Sequence, residues 1–449
     1  MKALESLLKQ IYFKTHTFLI DRQKVQAIAL WGAAWVTGLV AVQYARIFKF
    51  LETQYLAIAE SRPIEAVFLS PLLLCIAWWL VRRLSPEAGG SGIPQILAAN
   101  ELDFRHHSST VDKLLSPRVA LVKLTSSLLA VAGGAAIGRE GPTLQISACI
   151  FHFFGNRVRK YFAHIDSHTW IIAGAAAGLA SAFNTPLGGI VYAIEEMGTL
   201  HFHRVKTSVF SAVIIAGLMS QWLLGPYLYL GFPKLLADSF MFLPYAVLTG
   251  AVAGALGAGF GELLSKGSLW KQRLVFRGSE LPFVIACGFA LSGLIWLSHD
   301  SSGSGKEVIN RLLFTSENSS LLTVLYRTAA TAISYLSGAA GGIFAPSLSA
   351  GAALGSTIDV VVSSGHKNLM VMIGMIGFLT GVTRTPFTSF ILVLEMSDRH
   401  SAIFPMMVTA IVANGAAHFV SAHGFYEKMK TKFIESSALA APSTRTEPV

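Results

Sequence analysis

Two groups of acidic residues stand in parts of the sequence that are otherwise apolar. Arg139 and Glu140 are adjacent within the glycine-rich motif GREGP, Gly138–Pro142. A second acidic pair, Glu195-Glu196, follows a run from Trp170 to Ile194 that contains no charge. An ionisable side chain within an apolar segment is rare and is by default a candidate for function. Because a carboxylate can bind and release a proton, these glutamates are the first candidates for chemistry.

Glycine and proline interrupt the apolar sequence at three places. The motifs are GGSGIP (Gly89–Pro94), GREGP, and GAAGGIFAP (Gly338–Pro346), and each is closed by a proline. These residues break helices and leave backbone N–H groups unpaired, which lipid does not tolerate unless a polar group fills the gap. A helix N-terminus also carries partial positive charge, so converging breaks favour a bound anion. We expect the uncharged run from Thr328 to Ile358 to form short helices that meet at a point.

A simpler alternative is that the glycines only allow helices to pack closely, as small residues do in membranes. This alternative explains scattered glycines such as Gly250, Gly254 and Gly257. It does not explain three motifs that each end in proline.

The composition indicates an all-α integral membrane protein. Of 449 residues, 53% are hydrophobic and 13% charged, whereas a soluble domain has about a quarter charged residues. Several apolar runs have the length of a membrane span, and a large soluble core does not explain so many. They are Ala27–Ala45, Ala66–Val81, Met241–Phe260, Leu281–Ser298 and Ala402–Ala417.

The net charge of +10 is spread among the spans and forms no basic domain. We therefore assign it to loops facing the cytoplasm and anionic lipid, and exclude nucleic acid as a partner. The three cysteines, Cys75, Cys149 and Cys287, lie in apolar stretches without metal-site spacing. We expect no metal and no cofactor.

The chain contains an internal repeat. Gly174–Met197 resembles Gly374–Met396, and an offset of 200 pairs Thr185-Pro186 with Thr385-Pro386 and Glu195 with Glu395. GREGP and GIFAP (Gly342–Pro346) share a G-x-x-x-P frame at an offset of 204. Paired halves with interrupted apolar segments are typical of transporters. We predict one membrane domain at 26–430, with halves of about 26–230 and 240–430. A cytoplasmic segment 1–25 precedes it and a short cytoplasmic tail 431–449 follows.

GSGIP, GREGP and GGIFAP, in this order, resemble the selectivity-filter signatures of the CLC chloride channels and transporters. The stretch AAAGLASAFNTPLGGIVYAIEEM between the second and third motifs is also similar to that family. The resemblance extends roughly from Gly90 to Tyr426. It implies a CLC-type fold of many tilted and broken helices in two inverted-topology repeats. It also implies a homodimer in which each subunit has its own anion pathway.

The same resemblance implies an anion site. Ser91 would donate its hydroxyl to the central anion, and Ile343 and Phe344 would offer backbone N–H groups. The hydroxyl of Tyr426, in HGFYEKMK, would complete the site, although a plain interfacial tyrosine is an alternative there. Main-chain groups of Gly90, Arg139 and Gly141 would contact flanking inner and outer sites. Such dipoles suit chloride because a full positive charge would trap the ion.

By this resemblance Glu140 is a gate: its carboxylate occupies an anion site when deprotonated and leaves it when protonated. An ion pair with Arg139 is the alternative, which adjacent positions on a helix disfavour. Glu196 corresponds to the inner proton acceptor of exchangers, whereas channels commonly have a residue that does not titrate there. Its alternative is an exposed position at a helix end. Glu195 is expected to be structural.

We therefore expect a proton-coupled chloride antiporter, with a passive voltage- or pH-gated chloride channel as the alternative. An enzyme using Ser91 as nucleophile is not expected, because no histidine in the repeat motifs is placed to act as its base. Two features depart from many relatives: Gln95–Asn100 is neutral, and Ala340 replaces a frequent proline. Ser91 and GREGP favour chloride over fluoride. The chain resembles prokaryotic-type members of a bacterial inner (plasma) membrane, with both termini cytoplasmic.

Overall fold

The computed structural model describes residues 22–102, 104–160, 167–197, 202–225, 228–235, 241–276, 278 and 280–440. Most of the predicted N-terminal segment 1–25, and residues 441–449 of the predicted tail, lie outside these ranges. Within them the chain is helical, and β structure is limited to two isolated bridges.

The described residues form eighteen α-helices. In chain order they are α1 (Arg22–Ser61), α2 (Pro63–Leu84), α3 (Ile93–Glu101), α4 (Phe104–Leu114), α5 (Pro117–Ala132), α6 (Glu140–Arg159), α7 (Ser167–Phe183), α8 (Pro186–Tyr192), α9 (Phe202–Leu224), α10 (Leu243–Phe276), α11 (Glu280–Leu297), α12 (Lys306–Phe314), α13 (Leu321–Ser337), α14 (Phe344–Val362), α15 (Lys367–Thr383), α16 (Pro386–Ser397), α17 (Ile403–Val420) and α18 (Phe425–Ala440). A π-helical turn, Ala193–Met197, extends α8.

Eight helices of the described residues are long and apolar enough to cross a membrane. Large apolar side chains project from their outer surfaces, among them Trp222 on α9 and Phe419 on α17. Such surfaces suit lipid rather than water. The prediction of an all-α, multi-pass integral membrane protein is confirmed.

Two pairs of equivalent helices in the two halves have the same length. Helices α3 and α12 have nine residues each, and α7 and α15 have seventeen each. Between the halves, Gly138 N donates to Gly342 O (2.7 Å) and Gly342 N donates to Gly138 O (2.8 Å) in an antiparallel bridge. Equivalent residues that bond to each other reciprocally lie beside a two-fold axis. The antiparallel direction agrees with inverted halves.

The core is centred on α7 and α15, nearly all of whose residues are buried. The scattered glycines of α10 allow close contact with α17 and, at Gly257, with α15, as the packing alternative predicted. A Cβ on Gly250 would lie 2.9 Å from the carbonyl oxygen of Thr409, and one on Gly254 would collide with the backbone of Ala413. The fold thus holds the interrupted helices against a rigid centre.

Candidate functional site

The three interrupted segments meet, because their loops are joined by backbone hydrogen bonds. Gly90 N donates to Ala339 O (3.2 Å), and Gly341 N donates to Gly90 O (3.0 Å). The bridge between Gly138 and Gly342 joins the other pair of loops. Helices α3, α6 and α14 therefore begin near one point, and their first N–H groups, which have no partner within the helix, face it.

Ser91 lies in the loop that leads into α3. The preceding Gly90 and the following Gly92 have φ of 63° and 100°, values that glycine adopts readily. Gly141, in the first turn of α6, packs against Ser91, and a Cβ there would lie 2.6 Å from the Ser91 hydroxyl oxygen. A side chain at position 141 would thus push the α6 N-terminus away from Ser91.

The hydroxyls of Ser91 and Tyr426 face each other, although 335 positions separate them in the sequence. Both residues are 1% exposed. Neither oxygen forms a hydrogen bond of normal geometry with a described residue. A buried hydroxyl without a partner is costly, so two that converge form a place for a ligand that accepts hydrogen bonds. Tyr426 therefore lies in the interior beside Ser91 and not on the outer surface.

The first turn of α14 lies near Ser91, because the loop that precedes it pairs with Gly90. Gly341 and Gly342 use their N–H groups in the loop pairing, whereas Ile343 is the N-cap of α14 and Phe344 its first residue. Their N–H groups are among those that an α-helix leaves without an internal partner. Both side chains are buried, at 1% exposed each. The geometry brings these N–H groups to the same region as Ser91.

Glu140 is the first residue of α6 and is fully buried. Neither of its carboxylate oxygens forms a hydrogen bond of normal geometry with a described residue, Arg139 included. The donors that face the carboxylate are the backbone N–H groups of Glu140 itself and of Ala345 in the first turn of α14. The carboxylate therefore lies where a helix N-terminus attracts an anion.

Two cavities approach the site from different parts of the molecule. One, of about 580 Å³, reaches Gly90 and Ser91. Its lining includes Arg82 and Lys271, both paired with Glu280, and also Lys432. We call it the Ser91 cavity.

The other, of about 540 Å³, reaches Arg139 and is called the Arg139 cavity. Arg46, Lys49 and Lys306 share its lining, and none of the described lining residues is acidic. Arg139 also donates to the carbonyl of Ala182 (3.4 Å). Clefts lined by positive charge concentrate anions, so both cavities suit anion entry.

Glu196 lies apart from this cluster, in the π-helical turn after α8, and is half-buried. The buried Tyr192 interacts electrostatically with both Glu196 and Tyr426, and its hydroxyl has no hydrogen-bond partner among the described residues. Glu427 and Lys430 on α18 also face Glu196. No hydrogen bond of the Tyr192 hydroxyl therefore joins Glu196 to Tyr426 among the described residues, and their link is the electrostatic interaction of each with Tyr192.

Glu195 points elsewhere. Its carboxylate accepts hydrogen bonds from the N–H groups of Phe387 (3.0 Å) and Thr388 (2.7 Å) at the start of α16. The two adjacent glutamates thus have different surroundings, and the structural interpretation of Glu195 agrees with this geometry.

Sequence reasoning missed one residue of the cluster, Lys123 on α5. It is fully buried, and its ammonium donates to the carbonyls of Gly90 (2.8 Å) and Gly89 (3.3 Å). It thereby holds the loop that carries Ser91. A lone charge within an apolar helix was the signal that could have found it.

Comparison with known proteins identifies the family of the chain. The family model described as "Voltage gated chloride channel" matches residues 72–418. The H(+)/Cl(-) exchange transporter ClcA of Citrobacter koseri is 30% identical over 454 residues, covering 95% of this chain and 94% of that protein. The protein of the same name from Salmonella schwarzengrund is 30% identical over 441 residues, covering 93% and 91%.

Solved structures share the fold. A slow cyanobacterial Cl⁻/H⁺ antiporter superposes with a TM-score of 0.80 at 23% identity, covering 93% of this chain and 99% of that one. A CLC-type fluoride/proton antiporter gives 0.76 at 20% identity, covering 91% and 98%.

Proposed function

The chain belongs to the voltage gated chloride channel family, and from this premise we propose that it exchanges chloride for protons across a membrane. The observation that carries the proposal is the convergence of the N-termini of α3, α6 and α14 on the unpartnered hydroxyls of Ser91 and Tyr426. The ClcA relatives, which match nearly the whole chain, are named as H(+)/Cl(-) exchange transporters.

Chloride in this proposal is held by dipoles. The hydroxyls of Ser91 and Tyr426 and the N–H groups of Ile343 and Phe344 donate to the central ion. Main-chain groups of Arg139 and Gly141 contact a flanking anion site on the side of the Arg139 cavity. Gly90 lines the flanking site on the side of the Ser91 cavity, where its own N–H already donates to Ala339 O. Partial charges allow binding and release, which transport requires. Bromide and nitrate are tolerated substitutes in this proposal.

Glu140 gates the pathway. Deprotonated, its carboxylate occupies the position facing the α14 N-terminus and excludes chloride from it. Protonated, it is neutral and no longer competes for these donors, so chloride enters. Anion binding and proton binding at this position are then mutually linked, which is the basis of exchange.

Glu196 is the proton acceptor on the other side of the cluster. The half-buried position of Glu196 and the electrostatic interaction of Tyr192 with both Glu196 and Tyr426 support a proton route that differs from the Ser91 cavity. Protons and chloride would therefore share the pathway near Glu140 and separate beyond it. A passive channel does not require such a second carboxylate.

The family resemblance also supports finer proposals. We infer a homodimer with one pathway per subunit, in a bacterial inner membrane, with both termini cytoplasmic. A detergent-solubilised protein whose mass by light scattering equals one chain would contradict the dimer.

A flux assay in proteoliposomes tests the function. An imposed chloride gradient should drive protons against their own gradient, recorded together by a chloride electrode and a pH electrode. Chloride movement without a pH change would replace the exchanger by the channel. Movement of neither ion would contradict both.

A further inference from the structure

The second half contains a loop built like the one that carries Ser91. Gly303–Gly305 reads GSG, as does Gly90–Gly92, 213 positions earlier. The φ angles correspond, with 63° and 64° at the first glycine and 100° and 82° at the last. Each loop leads into a nine-residue helix, α3 or α12, whose N-cap is the last glycine. The two loops are equivalent in backbone conformation and in position.

The equivalence includes a buried cation behind each loop. Lys123 donates to the carbonyls of Gly89 and Gly90. Arg327, 204 positions later on α13, donates to the carbonyls of the equivalent residues Ser302 (2.7 Å) and Gly303 (3.1 Å). Both cations are fully buried. Each loop thus turns its carbonyls towards a cation, which leaves its N–H groups directed to the other side.

The two loops differ in the group that accepts hydrogen bonds from their serine. The Ser91 hydroxyl has no hydrogen-bond partner among the described residues. At the equivalent Ser304, which is 6% exposed, both the N–H (2.5 Å) and the hydroxyl (2.9 Å) donate to Oε1 of Glu52 on α1. A carboxylate of the same molecule therefore fills the second loop.

We propose that Gly303–Gly305 is a second anion-binding loop and that the Glu52 carboxylate is its resident anion. The carboxylate takes the donors that a halide would otherwise use. Glu52 thereby keeps this loop closed to dissolved anions and leaves the Ser91 loop as the open one. The loop would accept a halide or a similar small monovalent anion once the carboxylate is absent.

The surrounding charges agree with an anion at this position. Arg327 and Lys306 both interact electrostatically with Glu52, and Lys306 lines the Arg139 cavity. Glu140, the proposed gate, is an acidic residue that also interacts electrostatically with Glu52. These cations compensate the charge of an anion held at this loop.

Bromide diffraction tests the proposal, because bromine gives an anomalous signal. The probe is sodium bromide, supplied to crystals of the wild-type protein, Glu52→Ala and Glu52→Gln. In Glu52→Ala we expect a new anomalous peak within hydrogen-bond distance of the Ser304 nitrogen. The wild type and Glu52→Gln should lack it, because a side-chain oxygen still fills the loop. If Glu52→Ala cannot be purified, Glu52→Ser empties the loop in the same way.

The proposal rests on the Ser91 loop being an anion site, and the same crystals separate the two ideas. Bromide at Ser91 but not at Ser304 in the Glu52→Ala protein would overturn the second site alone. Bromide at neither loop would overturn the proposed chloride site as well.

A stability measurement gives an answer that does not depend on crystals. A neutral amide in a loop built for an anion should lower the thermal midpoint of Glu52→Gln by about 2–5 °C. An exposed glutamate on the same helix, Glu60, provides the matched control Glu60→Gln. A Glu52→Gln midpoint equal to that of the control would overturn the proposal.

Discussion

Glu195 and Glu395 cap each other's helices across the two halves of the molecule. Glu195 accepts from the N–H groups of Phe387 (3.0 Å) and Thr388 (2.7 Å), and Glu395 accepts from those of Leu187 (3.0 Å) and Gly188 (2.8 Å). The two glutamates are 200 positions apart, and so are the residues that they cap. The side-chain contacts between the two halves therefore follow the same two-fold symmetry as the backbone hydrogen bonds.

Removing either cap should weaken the junction between α8 and α16. Because hydrogen bonds to a charged group contribute about 1.5–3 kcal/mol, Glu395→Gln should lower the free energy of unfolding by about 1–3 kcal/mol. Thermal unfolding in detergent measures this, with the exposed Glu60→Gln as control. A similar loss is expected for Glu195→Gln, and an unchanged midpoint for both would show that the caps contribute little.

Glu140→Gln should uncouple chloride transport from proton transport. The neutral amide cannot carry a proton and does not compete as an anion for the α14 N-terminus, so chloride passes while proton flux falls at least tenfold. Parallel chloride and pH recordings on proteoliposomes measure both fluxes. Loss of chloride flux in a protein that still folds would contradict the gating role.

Glu196→Gln should also stop proton transport with chloride still passing, because the proton acceptor beyond Tyr192 is lost. The adjacent Glu195→Gln is the comparison variant. That carboxylate caps α16 and does not interact with Tyr192, although its charge also acts on Glu196. It should retain the proton-to-chloride ratio of the wild type even if the protein is less stable. Equal coupling in the two variants would remove Glu196 from the mechanism.

Lys123→Met should weaken chloride binding, measured by isothermal titration calorimetry, by about tenfold. The change removes a buried positive charge and the donor that holds the carbonyls of Gly89 and Gly90. Lys123→Arg should retain most of the affinity, because Arg327 performs the equivalent contact in the second half. If both variants bind chloride with wild-type affinity, Lys123 contributes neither its charge nor its hydrogen bonds to chloride binding.

The class of fold and the positions of the helix breaks can be predicted from the sequence. Glycine and proline act locally: they end a helix wherever they stand, so GSGIP, GREGP and GGIFAP could be interpreted without knowing their neighbours. The repeat was visible because Thr185-Pro186 and Glu195 keep their register with the second half. The length and apolarity of the spans follow from the membrane and need no tertiary contacts.

The contacts between distant side chains became known only from the tertiary structure. Ser91 and Tyr426 lie 335 positions apart, and their convergence depends on how α3 and α18 pack. The Ser304 loop was missed because it lacks the closing proline and stands at an offset of 213 rather than 200 or 204. Glu52 belongs to a different helix, so no local pattern connects it to that loop. Contacts between distant segments depend on the packing of the whole core, which no single motif encodes.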